Sequence, residues 1–214
     1  MFHIYIISLK EDTARRDHVM KLQKKIEGFG AECTIVDAFY WKSHNIPGLL
    51  QERGFTLGNG LSLSQMACFL SHYTAWELIA KSESSKHSII IEDDVDITEE
   101  FNLVELEQSI ESLPAFDAIL LWKHPEQEHV TTPYNEMFSK YSYTWGNVAY
   151  IYTPSFIRHR LLNKTINNPV DEQMNRMYDP ERTFIAKRKY FKNIGFLAGS
   201  RDYGPYIFKS NIYG

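Results

Sequence analysis

Cysteine is scarce in this sequence, which has only Cys33 and Cys68 among its 214 residues. Both lie in apolar stretches, where an unpaired cysteine behaves as a small hydrophobic residue. The sequence therefore lacks the disulfide framework that stabilises many small secreted domains. Two reduced thiols are typical of a cytoplasmic protein, and we expect that location.

Long hydrophobic runs are also missing. No stretch approaches the ~18–20 apolar residues that a membrane-spanning helix needs. The start, MFHIYIISLK, lacks the basic residues and the small-residue cleavage site of a secretory signal. Any contact with a membrane is thus expected to be peripheral, at the inner face of the cytoplasmic membrane.

The chain has no excess of positive charge, since its formal net charge is −4 and its pI is about 6.1. A nucleic-acid-binding domain normally carries a basic surface that attracts the phosphate backbone. We therefore expect no nucleic-acid partner. The sequence does not indicate an oligomeric state.

The C-terminal residues 184–214 differ from the rest, with six basic residues against Asp202 alone. Aromatic residues separate these charges. A solvated charged strand and a surface for anionic lipid head groups or a charged glycolipid both remain open. The basic residues are Lys187, Arg188, Lys189, Lys192, Arg201 and Lys209.

Local patterns predict an α/β fold. Residues 2–9 and 32–39 are rich in β-branched and aromatic side chains, and between them a helix capped by Thr13 runs to Gly28. Such a βαβ unit places ligands at the carboxyl ends of parallel strands. The loop at residues 8–16 is therefore a candidate ligand edge.

The remaining pattern fits one domain, residues 1–214, whose 43% hydrophobic content can form one core around a mostly parallel sheet. Pro and Gly residues between 41 and 61 predict a long loop or flap. Further helices are predicted at 62–80 (capped by Ser62 or Ser64), 99–113 and 154–163, and further strands at 88–91, 117–122 and 143–153.

Three adjacent acids, Glu92, Asp93 and Asp94, directly follow the apolar strand 88–91. They would repel one another unless a cation or protons neutralise them. Hard oxygen ligands suit Mg²⁺ or Mn²⁺, and these ions usually complete their shell with phosphate oxygens and water. The cluster predicts a divalent-metal site for a diphosphate-bearing substrate, and an acidic turn is the alternative.

A competing motif overlaps these acids. The spacing Asp94-x-Asp96-x-Thr98 matches the nucleophile loop of haloacid-dehalogenase-like phosphohydrolases. In that family the nucleophilic Asp directly follows the apolar run, whereas Glu92 does so here. No convincing later lysine and Gly-Asp-x-x-x-Asp pair accompanies the motif, so we keep the phosphohydrolase only as an alternative.

Several separated segments together resemble the family 25 glycosyltransferases, which include bacterial lipopolysaccharide and lipooligosaccharide galactosyltransferases. Each segment is short, but they follow the family's order. They are IYIISLKEDTARR at 4–16, VDAF at 36–39, SQMACFLSHYTAW at 64–76, SIIIEDDV at 88–95, WGNVAYIY at 145–152 and PVD at 169–171.

The resemblance implies a GT-A-like, Rossmann-like domain, a UDP-sugar donor, a divalent metal and inversion at the anomeric carbon. It favours galactose from UDP-galactose and a carbohydrate or glycolipid acceptor in lipopolysaccharide biosynthesis. Residues 1–122 would bind the nucleotide sugar, and residues 123–214 would form the acceptor side. A non-catalytic sugar-nucleotide-binding module remains a further alternative.

On the donor side, the resemblance makes Asp94 the metal ligand, places Asp93 at the ribose or a metal-bound water, and gives Glu92 an orienting role. Either Arg15 or Arg16, but not both, should face the diphosphate or uridine, because adjacent helix residues point different ways. The other expected substrate-binding residues are Ser8, Leu9, Asp37, Gly146 and Asn147.

Two further groups are expected near the reaction itself. Ser71 and His72 lie in a nearly apolar helix, where polar side chains need partners. Asp171, in the Pro-x-Asp segment, is the predicted catalytic base, although an acid at this position also suits a helix cap. The family's Gly-Glu-x-Gly-Cys pattern is replaced here by Ser64, Gln65, Ala67 and Cys68.

Overall fold

The structure is a computed structural model that describes residues 2–82, 87–122, 131–143, 146 and 148–194. Its strands are β1 (His3–Leu9), β2 (Glu32–Ala38), β3 (Thr56–Leu57), β4 (Ser88–Glu92), β5 (Val95–Ile97), β6 (Ala118–Leu120), β7 (Phe138–Lys140), β8 (Ala149–Tyr152), β9 (Thr165–Ile166), β10 (Thr183–Ala186) and β11 (Phe191–Asn193).

The helices surround these strands. They are α1 (Thr13–Glu27), α2 (Ile46–Glu52), α3 (Leu63–Lys81), α4 (Leu103–Glu111), α5 (Pro154–Phe156), which continues into a π-helical segment (Ile157–Leu161), and α6 (Val170–Met177). No described helix is long and apolar enough to cross a membrane.

The central sheet has seven strands in the order β2-β1-β4-β8-β6-β10-β7. β1 pairs in parallel with β2 and β4, and β6 pairs in parallel with β10, whereas β8 and β7 run antiparallel to their neighbours. The predicted α/β class and mostly parallel sheet are confirmed. The division of the chain at residue 122 stays a prediction.

The sheet has a hydrophobic layer on each face. Along β1, Ile4 and Ile6 join the core that includes α1 and α4, whereas Tyr5 and Ile7 join the core that includes α3 and α6. Successive side chains of a strand point to opposite faces, so a continuous apolar run is what a doubly covered strand requires.

Two local predictions are wrong. Helix α1 is capped by Asp12, whose Oδ1 accepts a hydrogen bond from the Arg15 amide at 3.1 Å, and Thr13 is already helical. The segment 41–61 is not a plain loop. It contains α2, capped by Asn45, and β3, which pairs with β9 more than a hundred residues later.

Three other boundaries differ from the prediction. Helix α4 begins after Asn102, whose side chain caps it, rather than at 99. The helical region opened by Pro154 ends at Leu161, and among the described residues of 143–153 the strand is β8. Asn147, Arg201 and Lys209 lie outside the described residues.

Candidate active site

A cleft of about 660 Å³ lies where β1, β2 and β4 end. The strand register brings these ends together, because Ser8 lies beside Asp37 and Ile7 beside Glu92. Helix α3 forms another wall. The lining residues are Ile7, Leu9, Arg15, Ala38, Phe39, Tyr40, Trp41, Ser64, Ala67, Cys68, Ser71, His72, Glu92, Asp93 and Asp94.

Asp93 is held by a buried ion pair. Its Oδ1 lies 2.5 Å from Arg15 Nη1, and its Oδ2 accepts a hydrogen bond from the Leu9 amide at 3.3 Å. Both charged residues are less than a tenth exposed. Arg15 therefore neutralises Asp93 and ties helix α1 to the end of β4.

Arg16 points to a different part of the site from Arg15. Its Nη2 lies 2.8 Å from Asp37 Oδ1, and its Nη1 donates to the carbonyl oxygen of Ser8 at 3.4 Å. The Asp37 side chain is 60% exposed, so this pair lies on the open rim of the site. The two arginines thus have separate partners, one buried and one at the surface.

Asp94 is buried, and one of its two carboxylate oxygens lacks a hydrogen-bond partner among the described residues. Its Oδ1 is buried and accepts no hydrogen bond from the described residues. Burial, the charge of Glu92 and that of Asp93 raise the pKa of Asp94 to about 7, although Arg15 and a hydrogen bond with the Asn193 side chain oppose the shift. A buried carboxylate oxygen in this setting gains strongly from a cation.

The described residues contain no group of three or more His, Cys, Asp or Glu side chains that could hold a metal ion by themselves. Mg²⁺, however, is usually bound through one or two carboxylates together with substrate phosphates. The open Oδ1 of Asp94 fits that mode of binding. Asp94 would then be the protein ligand, and a diphosphate would supply further oxygens.

Glu92 contacts the buried His72. His72 Nε2 lies 3.1 Å from Glu92 Oε1, and His72 Nδ1 lies 2.6 Å from the Tyr150 hydroxyl. Burial lowers the pKa of His72 to about 4, so the imidazole is neutral at pH 7. Burial, Asp171 and Asp93 raise the pKa of Glu92 to about 8.

Asp171 lies at the second position of α6, after Val170. The helix is capped at Pro169 without a side-chain hydrogen bond, so Asp171 is not its N-cap. Its negative charge helps to raise the pKa of Glu92 and opposes the lowering of the His72 pKa. Asp171 is not among the residues that line the cleft, but its charge acts on Glu92 and His72, which lie more than 75 positions earlier.

Two sequence-predicted residues have structural roles. Ser71 Oγ accepts a hydrogen bond from the Phe39 amide at 2.9 Å and donates to the Ala67 carbonyl at 2.7 Å, which joins α3 to the end of β2. Gly146 has a φ of +78°, and a Cβ there would lie 2.7 Å from the Trp122 ring. Only glycine fits such a position without strain.

Ser8 has a different environment. It is 1% exposed at the end of β1, and its Oγ has no hydrogen-bond partner among the described residues. A buried hydroxyl without a partner is costly. The Ser8 hydroxyl is thus a candidate to form a hydrogen bond with a bound ligand.

The sequence interpretation missed the aromatic residues Phe39, Tyr40 and Trp41, which follow β2 and line the cleft. The string FYW directly after the strand was an available signal. The buried Nε1 of Trp41 has no hydrogen-bond partner among the described residues, and Lys42 Nζ lies 5.1 Å from the Trp41 ring centre.

The phosphohydrolase motif is not assembled in the cleft. Asp94 lines it, but Asp96 accepts a hydrogen bond from the Ile97 amide on β5 and lies 3.5 Å from Lys25. The Thr98 hydroxyl donates to the Lys189 carbonyl. Neither residue is among those that line the cleft.

The chain is similar to known glycosyltransferases. A curated relative from Bos taurus, "Probable inactive glycosyltransferase 25 family member 3", is 26% identical over 194 residues, which cover 82% of this chain and 31% of that protein. The chain thus spans about a third of the relative's length. Apo mouse xyloside xylosyltransferase 1 matches with a TM-score of 0.39 and 11% identity, over 86% of this chain and 84% of that one.

A sequence model of one family covers most of the chain. It is described as "Glycosyltransferase family 25 (LPS biosynthesis protein)" and matches residues 1–174. The matched range includes β1, the acidic cluster, helix α3 and Asp171. The chain therefore belongs to glycosyltransferase family 25.

Proposed function

We propose that this protein transfers a hexose from a UDP-sugar to a carbohydrate acceptor with inversion at the anomeric carbon. The proposed hexose is galactose. One observation carries the proposal. In this family 25 chain, Glu92, Asp93 and Asp94 line the cleft at the end of β4, and the buried Oδ1 of Asp94 has no hydrogen-bond partner among the described residues. Such an oxygen suits a cation that a diphosphate also binds.

The donor lies along the ends of β1, β2 and β4 in this proposal. Arg16 lies on the rim, where its guanidinium can turn from Asp37 to a phosphate oxygen. Tyr40 and Trp41 offer ring faces and edges to the uracil or the sugar. Mn²⁺ or Mg²⁺ held by Asp94 would offset the charge that develops on the leaving diphosphate.

Asp171 is the proposed base. The acceptor hydroxyl oxygen attacks the anomeric carbon while the bond from that carbon to the diphosphate oxygen breaks on the opposite face. The hydroxyl proton passes to the Asp171 carboxylate, and UDP leaves with the electron pair of the broken bond. A base separate from the metal-binding acids is required because those acids lie on the leaving-group side.

The acceptor side of the proposal includes a lipid-linked sugar of lipopolysaccharide biosynthesis, reached by peripheral contact at the inner face of the membrane. Lys187, Arg188, Lys189 and Lys192 are exposed. Arg188 lies 2.7 Å from Glu105, so part of this charge is already paired within the protein. The rest of the basic C-terminal segment lies outside the described residues.

A non-catalytic role is the second candidate, because the Bos taurus relative is named a probable inactive member of the family. In that case the cleft would still bind a sugar nucleotide, but no transfer would follow. Asp171, an acid apart from the metal ligand whose charge acts on Glu92, favours catalysis, since binding alone does not require such an acid.

One assay separates these candidates. UDP release is measured from UDP-galactose, UDP-glucose and UDP-N-acetylglucosamine, with Mn²⁺, in the presence and absence of lactose- or glucoside-like acceptors. A transferase gives acceptor-dependent UDP release together with a glycosylated product. A binder gives UDP affinity without release, and a phosphohydrolase gives inorganic phosphate, so either result would overturn the proposal.

A further inference from the structure

A continuous chain of hydrogen bonds leads from the hydrophobic core to Glu92 in the cleft. Trp76 Nε1 donates to the Tyr150 hydroxyl at 3.3 Å, and that hydroxyl lies 2.6 Å from His72 Nδ1. His72 Nε2 in turn lies 3.1 Å from Glu92 Oε1. Three of the four members lie outside the acidic cluster.

The first three members are deeply buried. Trp76, Tyr150 and His72 are each 1% exposed, and the His72 and Tyr150 rings stack with their centres 5.9 Å apart. Trp76 and His72 lie one turn apart on α3, and Tyr150 reaches them from β8. Polar groups at such depth are costly unless they are hydrogen-bonded, so the chain constrains how all three are oriented.

The donor groups determine the direction of this chain of hydrogen bonds. An indole N–H can only donate, so the Tyr150 oxygen accepts from Trp76. The single hydrogen of Tyr150 then goes to His72 Nδ1, its only other partner among the described residues. A neutral His72 that accepts at Nδ1 carries its hydrogen on Nε2 and donates it to Glu92.

The opposite direction leaves a buried group unsatisfied. If His72 carried its hydrogen on Nδ1, the Tyr150 oxygen would accept from both His72 and Trp76. Its own hydrogen would then have no acceptor among the described residues, and a buried donor without a partner destabilises the fold. A proton on Glu92 does not change this preference. On Oε2 it leaves Oε1 free to accept from His72, and on Oε1 it would require the Nδ1–H tautomer that leaves the Tyr150 hydrogen without an acceptor.

We propose that Trp76 and Tyr150 are positioning residues that fix His72 in its Nε2–H tautomer, so that His72 holds the Glu92 carboxyl in one orientation within the cleft. Neither residue touches the cleft itself. Their role in transfer rests on the function proposed above. Glu92 interacts electrostatically with both Asp171 and Asp94, so its orientation affects both the acceptor and the diphosphate sides.

The tautomer is tested without any substrate. In protein labelled with ¹⁵N-histidine, long-range ¹H–¹⁵N correlation spectra at neutral pH distinguish a protonated ring nitrogen from an unprotonated one, and His72→Gln assigns the signals. We expect the wild-type protein to have protonated Nε2 and unprotonated Nδ1 at His72. The Nδ1–H tautomer in the wild-type protein would overturn the proposal.

Tyr150→Phe removes the donor to His72 Nδ1, and Tyr152→Phe is its matched control. Tyr152 lies on the same strand and equally deep, but its hydroxyl bonds to the Tyr178 hydroxyl at 2.5 Å. We expect only Tyr150→Phe to shift the His72 Nδ1 signal. Equal spectra from both variants would show that the Tyr150 hydroxyl does not set the tautomer.

The effect on transfer is measured with the same pair. We expect Tyr150→Phe to lower kcat by about 10- to 100-fold, as loss of an outer hydrogen bond to a site residue does, with the donor KM nearly unchanged. Tyr152→Phe should retain wild-type kcat. Equal kcat values for the two variants would overturn the positioning role. If the wild-type protein shows no transfer, the proposed function is contradicted instead. The NMR spectra would then still test the hydrogen-bond chain.

Discussion

At the scale of single residues, the three adjacent acids have different partners. Glu92 contacts His72, and Asp93 is paired with Arg15. Asp94 keeps one buried oxygen without a hydrogen bond from the described residues. Three neighbouring carboxyl groups can therefore have separate roles, because each has different neighbours.

Asp94→Asn tests the metal ligand. We expect calorimetry to show that Mn²⁺ strengthens UDP binding to the wild-type protein and no longer does so in the variant, because the amide loses the charge that attracts the cation. Asp96→Asn is the control, since Asp96 lies outside the cleft. If neither a chelator nor Asp94→Asn changes the UDP affinity, Asp94 is not the metal ligand.

Asp171→Asn tests the base. It should lower transfer by about 100-fold or more, the usual range for loss of a general base, while UDP affinity stays near wild type. Glu172→Gln changes the neighbouring acid, which pairs with Arg176, and should have little effect. Near-normal transfer by folded Asp171→Asn would exclude this role and direct attention to His72 or Glu92.

At the scale of elements, β1, α1, β2, α3 and β4 could be predicted from sequence to within about two residues, because each has a strong local signal. Helix α3, for example, begins with a capping box formed by Ser62 and Gln65. Helix α2 was missed because it is short and contains Pro47 and Gly48, and β3 was missed because its partner β9 is distant in sequence.

Arg15→Met tests how α1 is joined to β4. Removal of one member of a buried ion pair leaves the other charge buried and unpaired, so we expect the free energy of unfolding to fall by about 3–5 kcal/mol. Arg16→Met removes an exposed pair and should cost about 1 kcal/mol or less. Urea unfolding of both variants measures this, and equal losses would contradict the special role of the Arg15–Asp93 pair.

At the scale of the whole molecule, the sheet brings distant segments to one cleft. The end of β1, the first turn of α1, the aromatic residues after β2, helix α3 and the acids at the end of β4 all meet there. The sequence identified most of these segments one by one. It could not indicate that Tyr150 contacts His72, since the two lie 78 residues apart and nothing local signals their hydrogen bond.

The buried acids should make the metal-free protein less stable at alkaline pH. The pKa values of Glu92 and Asp94 are about 8 and 7 in the folded protein, against ordinary values of 4.5 and 3.8. The folded state therefore holds more protons than the unfolded state in that range, and the free energy of unfolding falls as pH rises.

This effect is best measured above pH 6.5. Between about pH 4 and 6.5 the free energy of unfolding instead gains from His72 as pH rises, because its pKa is lowered from 6.5 to about 4 in the folded protein. We expect urea unfolding in chelator to show decreasing stability from about pH 6.5 to about pH 8, with a smaller decrease for Glu92→Gln. Stability that is level or rising over this window would contradict the raised pKa values.

The central claim is that the cleft at Glu92–Asp94 binds the UDP-sugar donor through a divalent metal. The most direct measurement is a crystal structure of the protein with UDP and Mn²⁺, with anomalous scattering used to locate the metal. We predict one manganese ion bound to Asp94 and to the diphosphate, with the uridine toward Phe39, Tyr40 and Trp41. UDP bound outside this cleft, or bound in it with no metal at Asp94, would contradict the account.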